Sequence, residues 1–294
     1  MKDRIIGWIG TGLMGNPMAG HLLRHGYRIY LHNRTRRKAE NLIADGAVWF
    51  DTPAEVAEHS QIVFTIIGYP RDVEEVYFGK DGILSRTRPG MILVDMTTTR
   101  PALSVRISEE ARKLKAFAVD APVSGGEMGA VNGTLSVMAG GEKQIVEKIT
   151  PVFEIFGKNI VYQGPAGSGQ HTKMCNQITI AGTMIGVCEA LVYGTRAGLD
   201  AETVLKSISK GAAGCWTLDV LAPKMIQGDF EPGFMVDHLV KDLGIALEEA
   251  EQMKLSLPGL ALVRQLYIAL QSLGHGRLGT QALYMAVKHI SGLK

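Results

Sequence analysis

The chain predicts an α/β fold: a doubly wound parallel sheet in the N-terminal half, then an all-helical C-terminal half. Three observations carry that reading. Apolar, β-prone runs alternate with helical patterns up to about residue 162. The first run, Ile5-Ile6-Gly7-Trp8-Ile9, leads straight into Gly10-x-Gly12-x-x-Gly15, and residues 16–25 then read as a helix. After Gly164-Pro165-Ala166-Gly167-Ser168-Gly169 no convincing strand follows.

The elements run in order. Gly26 reads as a C-cap, and residues 27–32 as the second strand. Residues 36–45 are helical, and Thr52-Pro53 opens a short helix over 54–58. Residues 61–67 and 91–96 are continuous apolar strands, as a sheet covered on both faces requires. A helix over 102–115, strands over 117–120 and 135–139, a helix over 142–156 and a short strand over 159–162 complete the first half. The second half is one long helical pattern, 172–197, followed by helices over 201–210, 218–227, 236–253, 259–273 and 280–289. The boundary falls near Gly164, giving domains of residues 1–164 and 165–294, and 294 residues suffice for two domains. No solenoid-period repeat or low-complexity tract interrupts them.

Composition narrows the class. The chain is 46% hydrophobic and 20% charged, with net charge +2 from 31 basic and 29 acidic side chains. No long basic block argues for nucleic acid. Cys175, Cys188 and Cys215 are an odd count without a C-x-x-C pair, which points to reduced thiols in a cytoplasmic enzyme and to no metal site. Met1-Lys2-Asp3-Arg4 enters a strand directly, without a signal-peptide pattern. The longest apolar stretch, 178–193, contains Glu189 and several glycines; it reads as a buried core helix rather than a membrane span.

The strand–glycine–helix order is the signature of a dinucleotide site. Gly10 permits the tight turn, Gly12 lets backbone approach a pyrophosphate, and Gly15 lets helix pack on strand. With Leu13 and Met14 these residues form the phosphate loop, and the helix N-terminus offers unpaired N–H groups to the anion. An acid about 20 residues beyond the glycines would bind a ribose 2′-hydroxyl. Asn33-Arg34-Thr35 stands there instead: Asn33 is neutral, Arg34 suits a 2′-phosphate, and Thr35 can donate a hydrogen bond. NADP(H) is therefore the expected cofactor, with NAD(H) as the other nicotinamide cofactor the loop would admit.

Asp120-Ala121-Pro122-Val123-Ser124-Gly125-Gly126 ends a strand at the sheet's carboxyl edge. Its Ser-Gly-Gly turn offers a hydroxyl and open backbone N–H groups, suited to a small carboxylate, or is a plain turn. Lys173 and Asn176 share a face of the long helix, at i and i+3. By itself Lys173 reads either as a snorkelling surface lysine or as a functional ammonium. A desolvated lysine exchanges a proton near neutral pH, which suits carbonyl reduction. Lys241-Asp242-Leu243 lies on a later helix, as a solvated face or as part of a site. Phe234 and Trp216 read as core aromatics.

Together these residues resemble the β-hydroxyacid dehydrogenase family: 3-hydroxyisobutyrate dehydrogenase, tartronate semialdehyde reductase and the glyoxylate/succinic semialdehyde reductases. The signatures occur in family order: Gly7 to Gly15, Asp120 to Gly126, Gly169-x-x-x-Lys173-x-x-Asn176 and Lys241-Asp242-Leu243. The resemblance implies an N-terminal Rossmann domain, a long linking helix and an all-helical C-terminal domain, assembled as a homodimer or homotetramer. It implies Lys173 as general acid/base, Asn176 orienting the substrate or Lys173, and Ser124, Gly125 and Gly126 holding the substrate carboxylate. It implies Thr98 as a cofactor contact and Lys241 at the nicotinamide end of the site. Gly68-Tyr69-Pro70 departs from the Leu-Pro-Asn of many relatives, a difference that touches cofactor packing. Asn33-Arg34-Thr35 looks like the NADPH-preferring reductases of the family. The implied activity is oxidoreduction between a small 3-hydroxy acid and its aldehyde acid. Imine reductases share the scaffold but generally lack the lysine, as do dehydrogenase-like interaction modules; Lys173 argues against both.

Overall fold

The computed structural model describes residues 4–293 and divides into two compact units at Lys173/Met174. Met1-Lys2-Asp3, read above for a leader, lie outside the described residues.

The first unit contains the strands β1 (Ile5–Ile9), β2 (Arg28–His32), β3 (Val48–Trp49), β4 (Ile62–Thr65), β5 (Ile92–Asp95), β6 (Phe117–Asp120), β7 (Val123–Ser124), β8 (Leu135–Gly141) and β9 (Gly157–Gly164). Its helices are α1 (Gly15–Arg24), α2 (Glu40–Ala44), α3 (Pro53–Glu58), α4 (Pro70–Phe78), α5 (Pro101–Lys113), α6 (Gly126–Asn132) and α7 (Lys143–Phe153). The sheet order is β3-β2-β1-β4-β5-β6-β8-β7, with β9 paired to β8. β1 to β6 pair in parallel throughout. The order reverses between β1 and β4, so the carboxyl ends of those strands form the crevice in which such sheets bind ligands.

Both sheet faces are covered. Ile62 and Phe64 of β4 and Ile92 and Val94 of β5 enter one core with Met18, Leu22, Phe153 and Phe156. Val63 and Leu93 enter the other, with Val73, Tyr77, Leu103 and Ile107. Alternate side chains thus point to two apolar layers, which is why these strands read as unbroken apolar runs. Trp8 stacks on Phe64 at 5.5 Å between ring centroids. Its indole N–H donates to Gly10 O at 2.9 Å, tying the glycine loop to the strand that delivers it.

One edge departs from the parallel expectation. β8 runs antiparallel to β6 and to β7. The connection from β7 to β8 is only the short α6, which ends at Gly133 in a left-handed conformation (φ 64°). Parallel neighbours need a crossover of a dozen residues or more, so this link turns the chain back. The short α6 and the helix α4 after Tyr69 were not legible as helices in the sequence.

The second unit holds most of α8 (Ser168–Arg196), which crosses the division, then α9 (Ala201–Ile208), α10 (Ala222–Gln227), α11 (Val236–Gln252), α12 (Pro258–Ser272) and α13 (Leu283–Ile290). Among the described residues it contains no strand, only an isolated bridge between Met235 and Gly279. The helix expected from residue 218 opens instead with a π-helical turn, Thr217–Leu221. Pro223, in the first turn of α10, supplies no N–H and crowds the carbonyl four residues back, which widens the preceding turn.

α8 is 29 residues long, well beyond the apolar stretch noted in the sequence, and is long and apolar enough by length and composition to cross a membrane. Here Met174, Ala181, Met184, Cys188 and Leu191, spaced for one helix face, are buried in the second unit's core with Leu239, Leu243 and Tyr267. The opposite face, with Thr179, Glu189 and Tyr193, is exposed, so the helix is half-buried rather than enclosed.

The glycines of the first loop divide by cause. A Cβ at Gly15 would collide with Gly10 O, whereas one at Gly12 would meet nothing within 4 Å. Gly15→Ala is therefore expected to lower the melting temperature by several degrees, and Gly12→Ala to change it by less than about 2 °C. Thermal denaturation of the two variants checks this.

Candidate active site

The residues expected to hold the cofactor lie at the β1 and β2 ends. Gly10 adopts φ 102°. Thr11 N–H donates to Asn33 Oδ1 at 3.0 Å, and Asn33 Nδ2–H donates to Thr35 O at 2.8 Å. Asn33 therefore locks the two loops together rather than presenting its amide to solvent. α1 begins without a side-chain cap and without an acid in its first turn, which leaves its N-terminal field open to an anion. Thr11 Oγ1 is buried without a hydrogen-bond partner. Gly12 is the glycine of the three that no neighbour in the chain requires. Open space at Gly12 and an uncapped helix start fit a dinucleotide pyrophosphate. Leu13 is exposed and Met14 half-buried beside it. Arg34 is 89% exposed, with Nη1 3.8 Å from Asp72 Oδ1 at the start of α4. Thr35 is exposed beside it, and Arg36 lies over the Trp49 ring at 5.2 Å.

The β5 end carries Thr97-Thr98-Thr99. Asp95 Oδ1 accepts from Thr65 Oγ1 at 2.8 Å and from Thr97 N–H at 3.1 Å. Tyr77 Oη lies 3.1 Å from Thr65 Oγ1. Ile67 N–H donates to Thr97 Oγ1 at 3.0 Å, joining the β4 and β5 loops. Burial pushes the Asp95 carboxyl up to about 6, against the pull of the Thr97 and Thr65 hydrogen bonds, and Asp95 in turn helps raise the buried Tyr77 phenol.

The β6 end carries Asp120 and, close by, Lys173 and the Ser124-Gly125-Gly126 turn. The Asp120 carboxylate accepts from Gly167 N–H at 2.8 Å and from Gln170 N–H at 2.9 Å, at the start of α8. Burial raises its carboxyl, while these N–H groups and that of Gly169 pull the other way. A Cβ at Gly169 would collide with Met138 O and press on Asp120, so only glycine lets the helix start lie this close to the strands. One turn on, Lys173 is 6% exposed and its Nζ donates to Val123 O at 2.8 Å. Val123 immediately precedes Ser124, and Gly125 and Gly126 follow with φ 131° and 61°, conformations that favour glycine. The surface-lysine alternative is thereby excluded. Gln170 Nε2–H donates to Thr97 O at 2.7 Å, and its Oε1 accepts from Thr99 N–H at 3.0 Å.

The second unit carries Asn176 and Lys241. Asn176 Nδ2–H donates to Gln177 Oε1 at 2.7 Å, and Gln177 Nε2–H donates to Asp242 Oδ2 at 2.6 Å. Lys241 Nζ lies 2.9 Å from Asp242 Oδ1, with the aspartate 1% exposed, so this pair is not a solvated helix face. His238 stacks on Phe234, and burial, then Lys241, lowers its pKa. Phe234 packs against the second core, while Trp216 is 57% exposed and is no core aromatic.

Sequence reasoning assigned no role to Asp95, Asp120, Gln170, Gln177 or Asp242. A signal existed for the glutamines. Positions 170, 173 and 177 follow helical spacing, which sets three polar side chains on one buried stripe.

Residues 5–164 match the family model described as the NAD binding domain of 6-phosphogluconate dehydrogenase. Residues 167–287 match that described as NAD-binding of NADP-dependent 3-hydroxyisobutyrate dehydrogenase. A probable 3-hydroxyisobutyrate dehydrogenase-like protein of Arabidopsis thaliana, mitochondrial by its name, is 50% identical over 98% of this chain and 86% of its own length. The 2-hydroxy-3-oxopropionate reductase of Escherichia coli K12 is 37% identical over 98% of this chain and 99% of its own. The structure of a 3-hydroxyisobutyrate dehydrogenase from Mycobacterium tuberculosis with L-serine superposes with TM-score 0.88 and 27% identity, covering 97% and 99% of the two chains. The chain belongs to the β-hydroxyacid dehydrogenase family and is an NAD(P)-dependent hydroxyacid dehydrogenase.

Because Asp95 binds its proton more tightly in the folded chain than the usual value of 3.8, its contribution to stability is complete below about pH 4. It is lost as pH rises through about 6. Asp95→Asn removes that slope. Relative to the parent, the variant is expected to gain about 2–3 kcal/mol between pH 4 and pH 8. Urea unfolding across that range measures the difference.

Proposed function

We propose that this enzyme uses NADP(H) to interconvert a small 3-hydroxy acid and its aldehyde acid, with Lys173 as the proton carrier. The observation that carries the reading is the buried Lys173 amine, hydrogen-bonded to the carbonyl that precedes Ser124. A lysine so held serves proton transfer better than solubility.

When bound, the nicotinamide cofactor supplies or accepts the hydride. The chain supplies the rest. Gly10, Gly12, Leu13, Met14 and Gly15, with the first N–H groups of α1, hold the pyrophosphate. Arg34 and Thr35 meet the ribose phosphate, Asn33 keeps their loop in place, and Thr98 faces the cofactor from the β5 end. Ser124 Oγ–H and the N–H groups of Gly125 and Gly126 donate to the substrate carboxylate, a ligand these donors suit because glycine leaves them uncovered. In reduction, the Lys173 ammonium gives a proton to the carbonyl oxygen as it becomes a hydroxyl. In oxidation, the neutral amine takes that proton from the hydroxyl oxygen. The Val123 carbonyl holds Nζ in place through either step. Asn176 orients the substrate or Lys173, and Lys241 serves the nicotinamide end.

Lys173→Ala is expected to lower kcat at least about 10²-fold while leaving cofactor affinity intact. Steady-state turnover with a panel of aldehyde acids, alongside NADPH titration, checks both parts; near-normal turnover would remove the lysine from the mechanism. Arg34→Asp is expected to weaken NADPH binding at least about 10-fold relative to NADH, since an acid repels the 2′-phosphate and suits the 2′-hydroxyl. Parallel titrations with the two cofactors read the ratio.

A further inference from the structure

Gln170 is fully buried one turn before Lys173, and neither its side chain nor its placement enters the steps above. Its Nε2–H donates to Thr97 O at 2.7 Å, and its Oε1 accepts from Thr99 N–H at 3.0 Å. Those two groups flank Thr98. The side-chain amide therefore grips the backbone on both sides of that residue, as a neighbouring strand would. The main-chain N–H of Gln170 goes to Asp120 Oδ2 at 2.9 Å, which anchors the same residue to β6.

The loop bearing Thr98 thus has two sets of ties. Thr97 N–H to Asp95 and Ile67 N–H to Thr97 Oγ1 bind it to the sheet. The Gln170 amide binds it to the helix of Lys173. An amide is required because the position needs one donor and one acceptor together. A carboxylate could accept from Thr99 but could not donate to Thr97 O, and an aliphatic side chain could do neither.

We propose that Gln170 is a positioning residue of the reaction, whose side chain sets the cofactor-side Thr98 against the helix that carries Lys173. The inference rests on the assignment of Thr98 and Lys173 under the proposed function. Its consequence is that cofactor binding and proton transfer share one support. If the clasp is lost, the Thr98 loop relaxes against the sheet while Lys173 stays with the Asp120-held helix, and the two sides of the reaction drift apart. Displacements of that kind are costly to rate even when every reacting group is still present.

The test is a double-mutant cycle on the full-length protein with Gln170→Leu, Thr98→Ala and the combination. Three quantities are read: the NADPH dissociation constant from fluorescence quenching, the single-turnover hydride-transfer rate with its primary deuterium isotope effect, and the melting temperature. Gln170→Leu is expected to weaken NADPH binding about 10-fold. It should slow hydride transfer about 10- to 100-fold, with an increased isotope effect. In the cycle, the double variant should bind NADPH within about 2-fold of the weaker single variant, because Gln170 acts on the cofactor through Thr98. Gln170→Glu keeps the acceptor and loses the donor, so it should fall between the parent and Gln170→Leu, and it carries the test should the leucine variant not fold. Additive losses in the cycle would overturn the proposal. So would a fall in melting temperature with parental NADPH affinity and parental rate per folded molecule. Failure of the aldehyde-acid reading shows separately, as absent turnover by the parent enzyme across the substrate panel, and leaves the NADPH binding cycle readable.

Discussion

A buried carboxylate holds the start of a helix, and the placement of Lys173 depends on that contact. Asp120 accepts the N–H groups of Gly167 and Gln170, two of the donors that a helix start leaves without partners. The interaction is charge-assisted and lies in the positive field of the α8 N-terminus. It works only because Gly169 and Gly140 carry no Cβ where strand and helix meet; a Cβ at Gly140 would lie 2.7 Å from Asp120 Oδ1. Stripped of the aspartate, those N–H groups would be buried and unpaired, at about 1–3 kcal/mol each. With it, the first turn of α8 is pinned to the end of β6, and Lys173 follows at a set height above the sheet.

The lysine is reached by a second route. β7 continues from β6 through Ala121-Pro122, so the carbonyl that accepts from Lys173 Nζ and the Ser124-Gly125-Gly126 turn belong to one short segment. Helix and turn are both positioned from the end of the same strand. Lys173 and the Ser124-Gly125-Gly126 turn are then both held from the end of β6. The chemistry expected of a hydroxyacid dehydrogenase, a hydride on one side and a proton on the other, needs that constancy because both transfers tolerate little error in distance. Two buried acids, Asp95 and Asp120, serve this architecture through hydrogen bonds to backbone N–H groups and hydroxyls, and desolvation raises both carboxyls.

Much of the architecture was legible in the chain because its signals are local. The apolar runs of β4 and β5 mark strands covered on both faces, and the glycine pattern after β1 marks a phosphate turn. A Cβ at Gly10 or Gly15 would strike backbone, whereas one at Gly12 would meet nothing within 4 Å. The antiparallel β8, the short α6 and the π-turn before Pro223 were not legible. Strand direction depends on how far a connection must travel, and a seven-residue helix in a glycine-rich stretch carries almost no periodic signal. The chain Asn176–Gln177–Asp242–Lys241 was hidden for a different reason. Asn176 and Gln177 stand some 65 positions before Lys241 and Asp242, so no local pattern joins them.

The sequence by itself determined the class of fold and the family, since both are written in residue types at short spacing. Tertiary structure decided whether Lys173 was exposed or buried: β7 brings Val123 O to its Nζ across 50 positions, and it is buried. It also turned Asn33 into a loop tie, Asp120 into a helix anchor and Asp242 into the partner of Lys241. Such roles depend on which polar groups lose water together, and desolvation is a property of packed neighbours rather than of any residue read in order.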